Sequence, residues 1–169
     1  MKTDRTGILA VSAARILANC RRADLESVGA DYIVPVAMHR LRRQDRGVNS
    51  PDLLAEELGL QLKIPVAKHI IRRIRPTDLQ YTLSYRARAE NVAGAFALCS
   101  PGLWARLAMR AGTPIRQPLT GKTVLLVDDI LTTGSTCNEV TKVLLAAGVR
   151  SVTVAVLARA EGGHRQSTG

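Results

Sequence analysis

The chain has 169 residues, a length that suits one domain, and 46% of them are hydrophobic, enough to bury a core. Aromatic residues make up only 3%, so the core must consist of Leu, Ile, Val and Ala, which favours helices packed on a parallel sheet. A formal net charge of +10 favours anionic partners, namely phosphates, nucleic acid or an acidic membrane surface, while a solvated basic surface is the simpler alternative.

The cysteines and the N-terminal sequence argue against several classes of protein. Cys20, Cys99 and Cys137 lie far apart and form no CxxC pair, which argues against a zinc site or a disulfide framework and favours reduced thiols. The apolar run 7–14 meets Arg15 and suits a helix better than a signal peptide. No stretch approaches the length of a membrane span. We therefore expect a soluble, cytoplasmic protein.

The first part of the chain predicts a helix and then a strand. An amphipathic helix is predicted over residues 6–22, within a helical N-terminal segment 1–29. The apolar run 31–36 predicts a buried strand, and a basic loop follows at 39–46. The apolar residues whose spacing predicts the first helix are Ile8, Leu9, Ile16 and Leu17.

A second helix and an extended segment are predicted next. Ser50 can cap the free amides of this helix, Pro51 tolerates its first turn, and Gly59 is a good stop. An extended segment is predicted over residues 63–74 and ends among arginines.

The middle of the chain carries weaker signals. We predict a loop at 77–83, a short polar helix at 84–91 and a short strand at 95–98. The segment 100–120 contains three prolines and the one Trp of the sequence, and we interpret it as an insertion.

The last third contains the clearest unit. The apolar run 123–127 predicts a strand, followed by a helix over 135–147 and a strand over 151–158. Strands that alternate with helices predict a parallel α/β sheet. We expect one domain over residues 1–160 and a flexible tail at 161–169.

Two adjacent acids, Asp128 and Asp129, follow the strand at 123–127. In open α/β sheets ligands bind beyond the carboxyl ends of the strands, so these acids should lie at the mouth of a crevice. Because the two carboxylates repel each other, they need a cation or several hydroxyl donors nearby. A sugar diphosphate bound to Mg²⁺ supplies both.

The loop after the acids is rich in hydroxyl groups and turns into a helix. Such a turn offers free backbone amides and the positive end of a helix dipole, and Gly134 lets the backbone approach a phosphate closely. Acids for ribose hydroxyls beside an amide nest describe a ribose 5-phosphate site. The alternative is an ordinary capped helix with two exposed aspartates. The loop residues are Thr132, Thr133, Gly134, Ser135 and Thr136.

The segment VLLVDDILTTGST at 124–136 resembles the motif by which type I phosphoribosyltransferases bind 5-phosphoribosyl diphosphate (PRPP). It has four apolar residues, two acids and then a Thr/Gly phosphate loop. From residue 31 to residue 160 the chain is also similar to the ComF family of competence-associated phosphoribosyltransferase-like proteins. The stretches that carry this similarity include DYIVPVAMHR at 31–40, RGVN at 46–49, Arg72-Arg73 with Thr77 and Gln80, and Leu83-Ser84, Arg88, Asn91-Val92 and Gly94-Ala-Phe96.

The resemblance implies a type I phosphoribosyltransferase fold, an α/β fold with a mostly parallel central sheet flanked by helices. It implies a Mg²⁺-dependent enzyme that transfers ribose 5-phosphate from PRPP to a nitrogen acceptor and releases diphosphate. The sequence does not specify the acceptor. The alternative is a non-catalytic module that binds PRPP or a nucleotide, or an accessory of DNA uptake.

Some features depart from the family pattern. Members often begin with a four-cysteine zinc ribbon, which this sequence lacks. The family's Arg-Gly-Phe-Asn-Gln run reads RGVNS at 46–50, and Ala37 replaces a second Pro. These changes weaken a role in DNA uptake more than they weaken the phosphoribosyl site. Thr132 replaces the Asp that serves the purine in 6-oxopurine phosphoribosyltransferases, so that base specificity is not expected.

The resemblance assigns roles to individual residues. Asp128 and Asp129 would fix the ribose hydroxyls and the shell of Mg²⁺, through ribose or water, and loop 132–136 would anchor the 5-phosphate. The expected catalytic residues are Asp128, Asp129, Arg72, Arg73, Gln80 and Arg88. The expected PRPP-binding residues are Asp128, Asp129, Thr132, Thr133, Gly134, Ser135, Thr136, His39, Arg40, Arg46, Arg72 and Arg73.

Other expectations concern partners and Cys137. Arg42 and Arg43 are interpreted as facing solvent or nucleic acid, so weak nucleic-acid binding is a further possibility, as is a homodimer, whereas a membrane partner is not expected. Cys137 begins the phosphate-loop helix, where a helix N-terminus can lower the pKa of a thiol. The other interpretation is a small packing residue.

Overall fold

The computed structural model describes residues 5–37, 50–68, 70–75, 85–99 and 119–160. Within these ranges, helices α1 to α5 span Arg5–Cys20, Arg22–Ser27, Ser50–Leu62, Tyr85–Val92 and Ser135–Ala146. Strands β1 to β5 span Tyr32–Pro35, Ile71–Arg73, Phe96–Leu98, Thr123–Leu131 and Ser151–Arg159. The predicted basic loop 39–46, loop 77–83 and tail 161–169, and nearly all of the predicted insertion 100–120, lie outside the described residues.

The main sheet is parallel and has the strand order β1-β4-β5. β4 lies in the middle, with its Val124 aligned with Tyr32 of β1 and Val152 of β5. On the far side of β1, a single parallel bridge joins Ile33 to Val66. The predicted parallel α/β sheet flanked by helices is confirmed.

β4 separates two apolar layers, because alternate side chains along a strand point to opposite faces. Val124 and Leu126 face a layer that also contains Val140 of α5. Leu125 and Val127 face a second layer, to which α1 and α3 contribute. A strand that is buried on both faces needs the continuous apolar run that the sequence has here. The residues that α1 and α3 contribute to the second layer are Ala14, Ala18, Leu54, Ala55 and Leu58.

Helix α1 is confirmed, but its predicted apolar face is wrong. Ile8, Leu9 and Ile16 are 58%, 69% and 64% exposed, and only Leu17 of that set is partly buried against the second layer. Small side chains occupy the buried positions because they let α1 approach α3 closely. Arg15 of α1 reaches α3, where its Nε donates to Oε1 of Glu57 at 2.9 Å. The buried positions are Ala10, Ala14 and Ala18.

A second, two-stranded sheet packs on the α5 side of the main sheet. β2 and β3 are antiparallel, with Ile71 opposite Leu98 and Arg73 opposite Phe96. Ile71 and Phe96 belong to the same core layer as Val140 of α5. The short helix and short strand predicted over 84–91 and 95–98 are confirmed as α4 and β3, each within one residue of its predicted end.

The predicted end of the second helix, at Gly59, is wrong. Helix α3 continues to Leu62, and Lys63 then turns the chain with a φ of 56°. Gly59 is required instead for close packing, since an added Cβ would lie 2.5 Å from Cγ2 of Val66 and 2.9 Å from the carbonyl oxygen of Ile64. The helix contains this glycine because the chain that returns toward the sheet passes directly against it.

We expect Gly59→Ala to destabilise the fold. The crowding against Val66 and Ile64 should lower the free energy of unfolding by about 2 kcal/mol, which exceeds the gain of about 1 kcal/mol in helix propensity. Urea unfolding followed by circular dichroism measures the difference. Leu60→Ala is the control, because Leu60 is 75% exposed on the same helix. A Gly59→Ala protein that is more stable than wild type would contradict the packing argument.

Candidate functional site

The two predicted acids lie inside β4 rather than after it. The strand continues to Leu131, because β5 goes on pairing with it, with Asp128 aligned with Val156 and Ile130 aligned with Ala158. Strand alternation places Asp128 on the same face as Leu126, toward α5. The acids therefore stand at the carboxyl end of the central strand, but within its hydrogen-bonded ladder.

Asp128 is held by two contacts. Its Oδ1 accepts the backbone N–H of Asp129 at 2.9 Å, and its Oδ2 accepts the thiol of Cys137 at 3.6 Å. Burial of the carboxyl group, and after it the negative charge of Asp129, raises the pKa of Asp128 to about 7. A partly buried carboxylate of this kind favours a ligand that brings positive charge or hydroxyl donors, as expected for a Mg²⁺-bound sugar.

Asp129 is arranged differently from its neighbour. Its Oδ1 accepts the backbone N–H of Ile130 at 2.8 Å, a contact within its own strand. Its side chain is only partly buried. The two adjacent acids thus have distinct surroundings, one tied to α5 and the other held locally.

The loop 132–134 connects β4 to α5. Gly134 is the N-cap residue of α5 and has a φ of 75°, in the left-handed region that glycine adopts without strain. Gly134 provides no side-chain cap, and the N–H of Ser135 donates to Oγ1 of Thr133 at 3.4 Å. The positive end of the helix dipole favours an anion at this end of α5. The hydroxyls of Thr133 and Ser135 are 2.8 Å apart, so these two flanking side chains are ordered against each other.

Arg72 and Arg73 lie on the second sheet and project to opposite faces of β2. The guanidinium of Arg73 stands 5.3 Å from the centroid of the Phe96 ring, and the side chain is partly buried. Arg72 is exposed. Arg73 is therefore held on the face that packs toward α5, while Arg72 points away from that layer.

Helix α5 also holds the second sheet through a polar contact. Oε1 of Glu139 accepts the backbone N–H of Gly94 at 2.8 Å, in the turn between α4 and β3. Gly94 has a φ of 63°. The phosphate-loop helix and the strand pair that carries the arginines are thus connected by an apolar layer and by this hydrogen bond.

The structure places only some of the predicted site residues. It brings Asp128 and Asp129 together with the loop 132–136 in one strand–loop–helix unit, and it puts Arg88 in helix α4. Four predicted residues lie outside the described part of the chain, and their roles stay predictions. They are His39, Arg40, Arg46 and Gln80.

The sequence did not predict two contacts of α5, namely the hydrogen bond from Cys137 to Asp128 and the one between Glu139 and Gly94. Cys137 is 4% exposed and belongs to the apolar layer, which confirms its interpretation as a packing residue. Burial is the main cause, and the charge of Asp128 the second, that raises the pKa of Cys137 to about 12. The interpretation in which the helix N-terminus lowers the pKa of this thiol is therefore wrong. No sequence signal predicts the bonds of Cys137 and Glu139, because each joins α5 to a different element of the fold.

The two acids of β4 have the chemistry of Mg²⁺ ligands. Among the described side chains, no group of three His, Cys, Asp or Glu is placed to hold a metal ion. Mg²⁺ keeps several waters and is commonly bound by one or two carboxylates together with substrate phosphates. Asp128 and Asp129 would provide such a pair of hard oxygen ligands.

None of the described helices is long and apolar enough to cross a membrane.

Comparisons with known proteins point to one family. A family model for the phosphoribosyl transferase domain matches residues 61–168. Competence protein F of Haemophilus influenzae is 38% identical over 130 residues, which cover 77% of this chain and 51% of that protein. DNA utilization protein YhgH of Salmonella typhi is 32% identical over 162 residues, which cover 94% of this chain and 64% of that protein. The chain thus spans about half to two thirds of the length of these relatives.

Solved structures are similar at lower identity. Purine phosphoribosyltransferase from Pyrococcus horikoshii Ot3 aligns with a TM-score of 0.48 and 21% identity, over 88% of this chain and 70% of that one. A hypoxanthine phosphoribosyltransferase from Staphylococcus aureus aligns with a TM-score of 0.48 and 13% identity, over 93% and 65% of the two chains.

We expect Asp128 to lower stability as the pH rises. Its pKa is about 7 in the folded protein and ordinarily 3.8, so between these values the folded state holds more protons than the unfolded state. The free energy of unfolding should therefore fall from pH 4 to pH 7 and level off above. Asp128→Asn should be more stable than wild type at pH 8, on the order of 2 kcal/mol, and should lose that advantage at pH 4.

Asp31→Asn is the matched control, at the other end of β4. The carboxylate of Asp31 accepts the backbone N–H of Thr123 at 2.8 Å and Nζ of Lys122 at 3.1 Å. The Thr123 amide is the main cause that lowers the pKa of Asp31. This variant should lose stability at pH 8 and approach wild type in strong acid, the opposite sign. Urea titrations across pH would contradict the assignment if Asp128→Asn gained nothing at pH 8.

Proposed function

Because this chain belongs to the phosphoribosyl transferase domain family and has a parallel α/β sheet flanked by helices, we propose that it binds PRPP with Mg²⁺ and transfers ribose 5-phosphate to a nitrogen acceptor. One observation carries the proposal. The central strand carries two acids near its carboxyl end, and four residues separate Asp129 from Gly134, a left-handed glycine that caps the next helix without a side chain.

The 5-phosphate is proposed to bind at the amino end of α5. The first-turn amides point out of the helix, and the helix dipole favours an anion there. Gly134 lets the backbone come close to the phosphate, and Thr132, Thr133, Ser135 and Thr136 surround it with hydroxyl groups. The 5-phosphate end of PRPP would then lie a few residues along the chain from the two acids.

The ribose is proposed to lie over the end of β4. Asp128 and Asp129 would accept hydrogen bonds from its hydroxyls and bind the water shell of Mg²⁺. Mg²⁺, when bound, supplies positive charge that stabilises the diphosphate as it leaves. Since Asp128 is partly buried beside a second acid, the hydroxyls and the cation would relieve the repulsion between the two carboxylates.

The reaction breaks the bond between C1 of the ribose and the diphosphate oxygen, and it forms a bond between C1 and the acceptor nitrogen. The transition state carries positive charge on the sugar and negative charge on the leaving group. We propose that Arg73, held over Phe96, stabilises the diphosphate, and that Gln80 and Arg88 add further contacts. Arg72 projects from the opposite face of β2, so the predicted pair of arginines is divided and only Arg73 is assigned to the diphosphate. His39, Arg40 and Arg46 would add contacts to PRPP.

We expect PRPP with Mg²⁺ to raise the melting temperature of the protein, because a ligand that binds only the folded state stabilises it. Asp128→Asn combined with Asp129→Asn should abolish the shift. The matched control changes two exposed acids of α2, Asp24→Asn with Glu26→Gln, and should keep it. A shift that survives in the site variant would refute the assignment. Diphosphate release in the presence of a panel of nitrogen bases then separates an enzyme from a PRPP-binding module.

A second candidate function is binding of single-stranded DNA as an accessory of DNA uptake or use. The net charge of +10 exceeds what one sugar diphosphate requires, and the relatives bear the names competence protein F and DNA utilization protein. The basic loop with Arg42 and Arg43 is the candidate contact, and it lies outside the described residues. The low aromatic content argues against base stacking.

If this loop binds DNA, affinity for a labelled oligonucleotide should fall steeply with salt, because each neutralised phosphate releases counterions. Arg42→Ala with Arg43→Ala should reduce the slope of log K against log salt by about 0.7 per lost contact and leave PRPP binding intact. Arg21→Ala with Arg22→Ala, at the junction of α1 and α2, is the control of equal charge. A loop variant that loses PRPP affinity with an unchanged DNA slope would instead place the arginines at the diphosphate.

A further inference from the structure

Cys137 connects the acidic end of β4 to the phosphate-loop helix. It lies in the first turn of α5, is 4% exposed, and packs in the layer that contains Leu126 and Phe96. Its Sγ is 3.6 Å from Oδ2 of Asp128, within hydrogen-bonding distance for sulfur. The thiol is thus a buried donor directed at one of the two acids of the site.

The thiol contributes something that the other contact of Asp128 does not. Oδ1 of Asp128 accepts the N–H of the next residue in the same strand, which moves with it. The thiol of Cys137 comes from a different element and engages the other oxygen. Two contacts at the two oxygens restrict rotation of the carboxyl group, and the second also fixes β4 relative to α5.

We infer that Cys137 is a positioning residue, whose thiol holds the Asp128 carboxyl group in the orientation that meets the ribose of PRPP while its helix binds the 5-phosphate. The inference rests on the proposed function. It concerns the geometry of a side chain that binds the ligand, and Cys137 itself touches neither ligand nor metal. A purely structural role as a small apolar residue would make the hydrogen bond irrelevant.

The comparison of Cys137→Ser with Cys137→Ala isolates the hydrogen bond. Serine and alanine are of similar size and lose about the same packing, but only serine keeps a donor beside Asp128. Urea unfolding should therefore show a comparable loss of stability for both variants. Calorimetric titration with PRPP and Mg²⁺ should show the Kd of Cys137→Ala raised about five- to tenfold, and that of Cys137→Ser within about twofold of wild type.

The outcomes separate this inference from the proposed function. If the wild-type protein binds PRPP and the serine and alanine variants have equal Kd values, the positioning role alone is overturned. A wild-type protein that does not bind PRPP with Mg²⁺ would overturn the proposed function and the inference with it.

An infrared measurement covers the case in which a Cys137 variant fails to fold. In a background with Cys20→Ser and Cys99→Ser, the remaining S–H stretching band belongs to Cys137. A hydrogen bond to a carboxyl group lowers the frequency of this band, so Asp128→Ala, which removes the acceptor, should raise it. A band that is unchanged by Asp128→Ala would show that the thiol does not donate to Asp128 and would overturn the inference.

Discussion

The structure depends on the burial of β4 on both faces. Its apolar run pairs with a parallel strand on each side and contributes alternate side chains to two core layers, one shared with α5 and one with α1 and α3. No other described strand has this position. Since the strand cannot shift along its neighbours without moving polar groups into the core, the place where its apolar run stops is fixed. Asp128 and Asp129 begin at that place, so the core determines where the acids stand.

The same arrangement lowers the stability of the folded state when Asp128 is ionised. A carboxyl group near the end of a buried strand loses water, and a second acid beside it adds repulsion, which together explain the raised pKa of Asp128. A packing argument alone would favour an apolar residue at this position. On the proposed function, the acid at this position would meet ribose hydroxyls and a cation, and the lost stability would be the cost of binding them.

Helix α5 joins the separate parts of the proposed site. Its amino end receives the loop from β4, its Cys137 reaches Asp128, and its Glu139 holds the turn before β3. Phe96 of β3 lies in the α5 layer and supports the guanidinium of Arg73. A displacement of α5 would therefore be felt by the acids, the phosphate loop and one arginine together. On the proposed function, this coupling would let the segment 128–136 and the distant Arg73 act on one extended ligand.

The sequence by itself determined the strand–acid–glycine–helix unit, the parallel α/β class and the family, because these rest on local order: an apolar run, two acids and a glycine at fixed spacing. Only the tertiary structure decided the features that depend on distant partners. β5 extends β4 beyond the acids, the passing chain at Val66 explains Gly59, and close packing on α3 reverses the face of α1. The bond from Cys137 to Asp128 joins residues only nine apart in the chain, but it too is a tertiary feature, since a hydrogen bond between two elements leaves no periodicity or spacing in the sequence.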